Sequence, residues 1–238
     1  MFCGFLVGEM FMYSVAAIIA AGGSGSRMGM GDKLLCKIGG QTVLKRTLDV
    51  FEACEIINAV ILVKSPSAVY NTAKYKKIIR VVHGGETRQQ SVYNGLLAAD
   101  GYDFVAVHDA ARALVTDEVI TATVLKAFET GAAVTGYNVI DTVKTVDAEK
   151  IITGTPDRSM LFAAATPQVF RRELLLKAYR RNISSATDDA SLVEGICAVS
   201  AVVGDRENIK ITTPFDLIMA EAILKKRKDD ANESRDRS

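Results

Sequence analysis

Residues Ala20–Lys33 read AAGGSGSRMGMGDK, and they follow the apolar run Val15–Ile19, which has the pattern of a buried strand. Glycines stand at 22, 23, 25, 29 and 31, with Arg27 and Lys33 among them. Glycine lets backbone approach a ligand closely. Successive backbone N–H groups in such a loop make an anion-binding concavity. Arg27 can fork onto phosphate oxygens, and Lys33 can act on the same group as a point charge. A glycine loop of this kind after a first strand predicts an α/β fold that handles nucleotide phosphates. It is not a P-loop, because no G-x-x-x-x-G-K-[ST] occurs. It is not the dinucleotide fingerprint either, because Met28 stands where Gly23-Ser24-Gly25 requires a small residue.

The chain has 238 residues, of which 49% are hydrophobic, a size and composition that predict one α/β domain with a substantial core. A net charge of +1 provides no global field for nucleic acid, so any anion site must be local. Cys3, Cys36, Cys54 and Cys197 form no C-x-x-C pair, and only His83 and His108 accompany them. That pattern predicts reduced thiols in a cytoplasmic protein and no structural zinc. The apolar start is interrupted by Glu9, lacks a basic leader and merges with the first strand. It reads as an extension over residues 1–13 and as neither signal peptide nor membrane anchor. One domain is expected over 14–227, with the charged tail 228–238 disordered.

Strand and helix patterns alternate along the chain. Apolar runs predict strands at Ala59–Val63, Ile78–Val82, Phe104–Val107 and Ala132–Tyr137. Helices are predicted over Thr42–Cys54, over Thr87–Ala99 behind a Thr87-x-x-Gln90 capping pattern, and after Thr116. This order implies a mostly parallel, Rossmann-like sheet with helices on both faces and ligands at the carboxyl ends of its strands. Over about 138–160 the alternation gives way to a β-hairpin arm turning near Asp147–Lys150. An isolated hairpin is marginal, so a second subunit is expected to cover it. Helices near Arg171–Arg180 and Asp188–Glu194, a strand at Ala198–Val203, and a last helix from Pro214 with Thr213 as its cap complete the expectation.

Polar residues gather just past the predicted strand ends: Gly84–Arg88, His108–Arg112, Thr166–Gln168, Thr187-Asp188 and Asn208–Thr213. Arg88 and Ser91 share a helix face. His108 is expected to be a hydrogen-bonded structural residue rather than a general base. Arg27, Lys33, Arg112, Arg158 and Lys210 together suggest a site for several phosphates in a nearly neutral protein.

The motifs AAGGSGSRMG, GGETRQQSVYNGL, HDAAR, DTVK, TPQVF, TDDAS and NIKITTPFDL occur in that order from about Ser14 to about Lys225. On these the sequence resembles the 2-C-methyl-D-erythritol 4-phosphate cytidylyltransferases, of nucleotidyltransferase fold. The resemblance implies that CTP and methylerythritol phosphate give the CDP-alcohol and pyrophosphate. It implies catalytic roles for Arg27, Lys33, Arg158 and Lys210. It implies CTP contacts from Ala20, Ala21, Gly22, Gly23, Gly25, Gly85, Glu86, Ser91, Asp109 and Ala110. Asp109, Arg112, Thr142, Arg158, Thr166, Thr187 and Thr212 would hold the polyol phosphate, with Thr142 and Arg112 acting on the neighbour's substrate in a homodimer joined through the arm. Mg²⁺ is implied near Asp109, since a triphosphate needs charge neutralisation and hard oxygen ligands.

Three positions depart from the family pattern: Asp32 stands where proline is frequent before Lys33, Ala113 where proline follows HDAAR, and Phe162 where tryptophan is frequent. The first puts the stiffness of the loop in question. The rival readings are a CTP:ribitol-5-phosphate cytidylyltransferase, which shares several motifs, and a non-catalytic nucleotide-binding module. The HDAAR and SVYNGL forms favour methylerythritol phosphate. A sugar-1-phosphate nucleotidyltransferase or glycosyltransferase is disfavoured, the latter for want of an Asp-x-Asp after a central strand.

Overall fold

A computed structural model describes residues 13–22, 32–181 and 186–236. In chain order the elements are β1 (Val15–Ala21), β2 (Lys37–Ile38), β3 (Gln41–Thr42), α1 (Val43–Ala53), β4 (Ala59–Lys64), β5 (Ile78–His83), α2 (Arg88–Ala98), β6 (Phe104–Asp109), α3 (Asp117–Thr130), β7 (Ala132–Asn138), β8 (Thr145–Val146), β9 (Ile152–Gly154), β10 (Phe162–Arg171), α4 (Arg172–Arg181), α5 (Asp189–Val193), β11 (Ser200–Val203) and α6 (Pro214–Asp236).

The sheet runs β11-β7-β10-β6-β1-β4-β5. All its pairings are parallel except those of β10, which is antiparallel to both β6 and β7. The expected α/β fold with a mostly parallel sheet is therefore present. Side chains alternate across it. Val15, Ala17 and Ile19 of β1 join one core with α1, α3 and Ala220 of α6. Ala16 and Ile18 join the other with α2, α4 and α5. With both faces covered, β1 and nearly all of β4 are apolar, which is why they read as continuous hydrophobic runs.

Local chemistry sets the helix ends. The hydroxyls of Thr42, Thr87 and Thr116 accept the amides of Lys45, Gln90 and Val119 at the starts of α1, α2 and α3. Gly131 closes α3 at φ 85°, a conformation costly for other residues. Gly95 lets α2 lie against the sheet: a Cβ there would come within 2.5 Å of Ile18 Cγ2 and 2.8 Å of Val63 Cγ2.

Two expectations need correction. Phe162–Arg171 is a central strand, which the Thr166-Pro167-Gln168 interruption concealed. The tail predicted to be disordered over 228–238 is helical through Asp236, because α6 continues along its charged length. Thr213 stands before Pro214, the first residue of α6, as expected of its cap, and its carbonyl accepts Asp216 N at 3.1 Å. Asp216 in turn accepts the amides and hydroxyls of both Thr212 and Thr213 at 2.7–3.0 Å. The expected arm is a small hairpin in which β8 and β9 pair antiparallel. The N-terminal extension lies outside the described residues except for Tyr13, whose ring packs on Phe104 and Phe128.

Candidate active site

The strand order turns at β1, which has β4 on one side and β6 on the other. The carboxyl ends of such a switch point diverge and leave a crevice. Here the crevice is a cleft of about 380 Å³ lined by Ala20, Ala21, Gly22, Lys33, Leu34, Gly85, Glu86, Thr87, Arg88, Ser91, Asp109, Ala111 and Lys210.

Asp109 ends β6 at its floor. One carboxylate oxygen accepts from Arg88 Nε at 3.2 Å and the other from Lys210 Nζ at 2.6 Å. Burial alone would raise its pKa, but Arg88, Lys210 and Arg112 outweigh burial and hold the carboxyl well below the usual carboxylate range. Lys210 reaches the cleft because Ile211 N donates to Ala111 O at 2.9 Å, fastening residues 208–212 beside the turn after β6.

Arg88 starts α2. Its Nη2 donates to the fully buried Asp189 at 2.9 Å, and Tyr179 donates its hydroxyl to the same carboxylate. Burial pushes Asp189 upward against the pull of Arg88. The remaining nitrogen, Arg88 Nη1, is buried with no partner among the described residues. An orphaned cationic donor in a cleft is a ready contact for an anion.

Thr166 approaches from β10. The pairing of β10 with β7 shifts register between Ala164 and Gln168, so residues 165–167 leave the ladder. Thr166 Oγ1 then accepts Asp109 N at 3.1 Å and lies 3.1 Å from His108 Nδ1. His108 Nε2 donates to Arg112 O at 3.2 Å, which leaves Nδ1 as the acceptor for the Thr166 hydroxyl. Burial lowers His108 to about 4, so the ring is neutral. It is the structural histidine that the sequence suggested. Asn208 Nδ2 donates to Thr166 O at 2.9 Å, and Arg112 Nη1 to Asn208 O at 2.8 Å.

The structure thus brings together Ala20, Ala21, Gly22, Lys33, Gly85, Glu86, Ser91, Asp109 and Lys210 from the predicted set. Ser91 spends much of its hydroxyl on shaping the rim, accepting Gly85 N at 3.1 Å and donating to Thr87 O at 2.9 Å. Ala110 is not on the cleft lining: the turn after β6 sends it into the core, its carbonyl accepts from Thr47, and Ala111 lines the cleft. Thr166 and Arg112 sit behind the floor rather than on the lining. Thr212 turns its hydroxyl to Asp216, and Thr187 is exposed before α5. Thr142 and Arg158 belong to the arm, where Arg158 Nη1 donates to Ile140 O at 2.8 Å. Gly23, Gly25 and Arg27 lie outside the described residues. Leu34, Thr87, Arg88 and Ala111 line the cleft although the predicted set lacked them, and for the charged one, Arg88, its shared face with Ser91 was a legible sign.

Residues 15–226 match the family profile of 2-C-methyl-D-erythritol 4-phosphate cytidylyltransferase. A protein of that name from Caldanaerobacter subterraneus is 41% identical over 226 residues, covering 90% of this chain and all of the relative. Another, from Bacillus licheniformis, is 43% identical over 223 residues, covering 89% and 96%. The crystal structure of 4-diphosphocytidyl-2C-methyl-D-erythritol synthase from Anaerococcus prevotii superposes with a TM-score of 0.82 at 31% identity, covering 92% of this chain and 99% of that one. The cytidylyltransferase from Thermus thermophilus gives 0.76 at 32% identity, covering 89% and 99%. Fold, cleft and end-to-end similarity agree, and the chain belongs to the 2-C-methyl-D-erythritol 4-phosphate cytidylyltransferase family.

Proposed function

We propose that the chain joins CTP to 2-C-methyl-D-erythritol 4-phosphate, giving 4-diphosphocytidyl-2-C-methyl-D-erythritol and pyrophosphate. The observation that carries this reading is the switch-point cleft, in which Lys33, Arg88 and Lys210 converge beside Asp109, whose carboxyl Arg88, Lys210 and Arg112 hold below the usual range. A substrate phosphate oxygen attacks the α-phosphorus of CTP, and the bond to pyrophosphate breaks on the opposite side. Such a displacement asks the protein for alignment and charge stabilisation more than for covalent work. Lys33 from one rim and Lys210 from the other suit the negative charge that builds on the transferring phosphate. Arg27 and the backbone of residues 20–25 are assigned to the triphosphate, and Gly85, Glu86 and Ser91 to the base and ribose.

Asp109 offers a hard anionic oxygen, but no group of three or more His, Cys, Asp or Glu forms a metal cage among the described residues. That chemistry fits Mg²⁺ held by one carboxylate and mainly by substrate phosphates. When bound, Mg²⁺ would neutralise triphosphate charge at Asp109.

Ile140, Val146, Ile151, Ile152 and Met160 expose apolar side chains along the arm and beside it. They support a homodimer in which Thr142, Arg112 and Arg158 meet a polyol phosphate near a subunit boundary, with Thr166, Thr187 and Thr212 completing its pocket. Cys36, Cys54 and Cys197 are free thiols, in keeping with a cytoplasmic setting. Among the described residues no helix is long and apolar enough to cross a membrane.

The test is pyrophosphate release from CTP and Mg²⁺ with methylerythritol 4-phosphate or ribitol 5-phosphate. Release with the former alone is expected. Release with ribitol 5-phosphate alone overturns the substrate assignment, and release with neither overturns the enzyme reading.

A further inference from the structure

The connection between β4 and β5, residues 65–77, is fastened to α1. Glu52 accepts the amides of Lys76 at 2.8 Å and Lys77 at 3.1 Å. Asp49 accepts Lys74 Nζ at 2.6 Å and the Tyr75 hydroxyl at 2.9 Å. Lys45 of the same helix pairs with its other oxygen. This anchored connection carries Tyr70 beside α1, and its hydroxyl donates to Asp32 Oδ2 at 2.5 Å. The other oxygen of Asp32 accepts Leu34 N at 3.0 Å, capping the single 3-10 turn Lys33–Leu35. Leu34 is buried in the core, and Lys33 lines the cleft. Both oxygens of Asp32 are therefore committed, one to the turn and one to an anchored scaffold.

We propose that Tyr70 is a positioning residue for Lys33, acting through Asp32. The sequence makes such a device necessary. Gly29 and Gly31 precede Asp32 and supply no side chain to hold the turn, and glycine raises the entropy of ordering it. Asp32 has φ −73° and ψ 104°, an extended conformation that a capping carboxylate must select from many. The Tyr70 hydroxyl removes the rotation left to that carboxylate. Burial and the neighbouring Asp32 both raise the pKa of Tyr70, so the hydroxyl remains a donor throughout the working pH range. The latch spans α1, the 65–77 connection and the Lys33 turn without touching either substrate's expected place. It rests on the reading that Lys33 acts on the transferring phosphate.

The test is a double-mutant cycle of Tyr70→Phe and Lys33→Ala, followed through kcat and KM for both substrates. Tyr70→Phe removes one oxygen and keeps the ring, so the fold survives. It is expected to lower kcat about five-fold, equivalent to about 1 kcal/mol, while KM for the polyol phosphate stays unchanged. In the Lys33→Ala background the same substitution should add no further loss, because the group it positions is gone. A general structural role would give equal losses in both backgrounds, and that result overturns the proposal. A wild-type kcat in Tyr70→Phe overturns it as well. If Lys33→Ala itself retains full turnover, the catalytic assignment of Lys33 fails first. If Lys33→Ala is crippled and Tyr70→Phe is not, only the latch fails.

Discussion

Acidifying the protein from about pH 7.5 to about pH 5 should lower its stability by about 2 kcal/mol through His108 alone. The ring is fully buried between Phe51, whose centroid lies 4.9 Å away, and the turn after β6. It donates to Arg112 O and accepts from Thr166, so both nitrogens are used in the neutral form. Its folded pKa is depressed from 6.5 to about 4. The unfolded chain therefore takes up the proton first as the pH falls. Stability declines from about pH 6.5 downward and stops declining near pH 4, for a full cost of about 3 kcal/mol at 1.36 kcal/mol per unit. Asp109 has the opposite dependence: its folded pKa is depressed, so its contribution holds through this window and is lost only at lower pH. Urea unfolding of the wild type and of His108→Gln, at both pH values, isolates the effect. Glutamine retains a donor and an acceptor but does not titrate. The difference between the two proteins should shift by about 2 kcal/mol in favour of the variant at pH 5. A difference independent of pH would refute the assignment of a buried neutral ring.

Lys33→Ala should fold normally and lose turnover by at least about 100-fold, the order expected for one preorganised charge at a transferring phosphate; single-turnover kinetics read it directly. Gly95→Ala should destabilise by about 1–3 kcal/mol, since its methyl would enter the space of Ile18 and Val63; thermal unfolding measures this. Sedimentation at micromolar concentration should give a dimer, and Ile151→Lys with Ile152→Lys should shift it toward monomer; a wild-type monomer would count against the cross-subunit roles of Thr142 and Arg112.

The parallel part of the sheet was readable because strands buried on both faces must be apolar at every position, as Val15–Ile19 and Ala59–Val63 are. β10 was not, because its pattern mixes small residues with Thr166-Pro167-Gln168, and a proline within a run argues against a central strand. The structure resolves the conflict with a register shift that frees those three residues from the ladder. Much of the cleft followed from polar residues at strand ends. What did not follow was which of them face it. Ala110 and Ala111 are chemically alike, and only the turn geometry decides between core and cleft. Asp189, accepting from both Arg88 and Tyr179, joins α2, α4 and α5 across about 100 positions, a contact that no local pattern encodes. The doubt raised by Asp32 in the loop is answered by a partner, Tyr70, whose own surroundings carried no motif.

The reversed strand has a consequence for the order of assembly. β1 and β6 already pair over a long reach, since Val15 meets Phe104 across 89 positions. β10 must also find its place between β6 and β7 after the arm, pairing Arg171 with Phe104 and Phe170 with Ala132. Pairings of that separation form late, since the chain pays closure entropy before they reward it. Thr166 travels on this strand, and with it the contacts that brace Asp109 and His108. The chemical apparatus is therefore finished only when β10 is seated. A partly folded chain with a sound half-sheet would be catalytically silent, and recovery of activity during refolding should lag recovery of secondary structure.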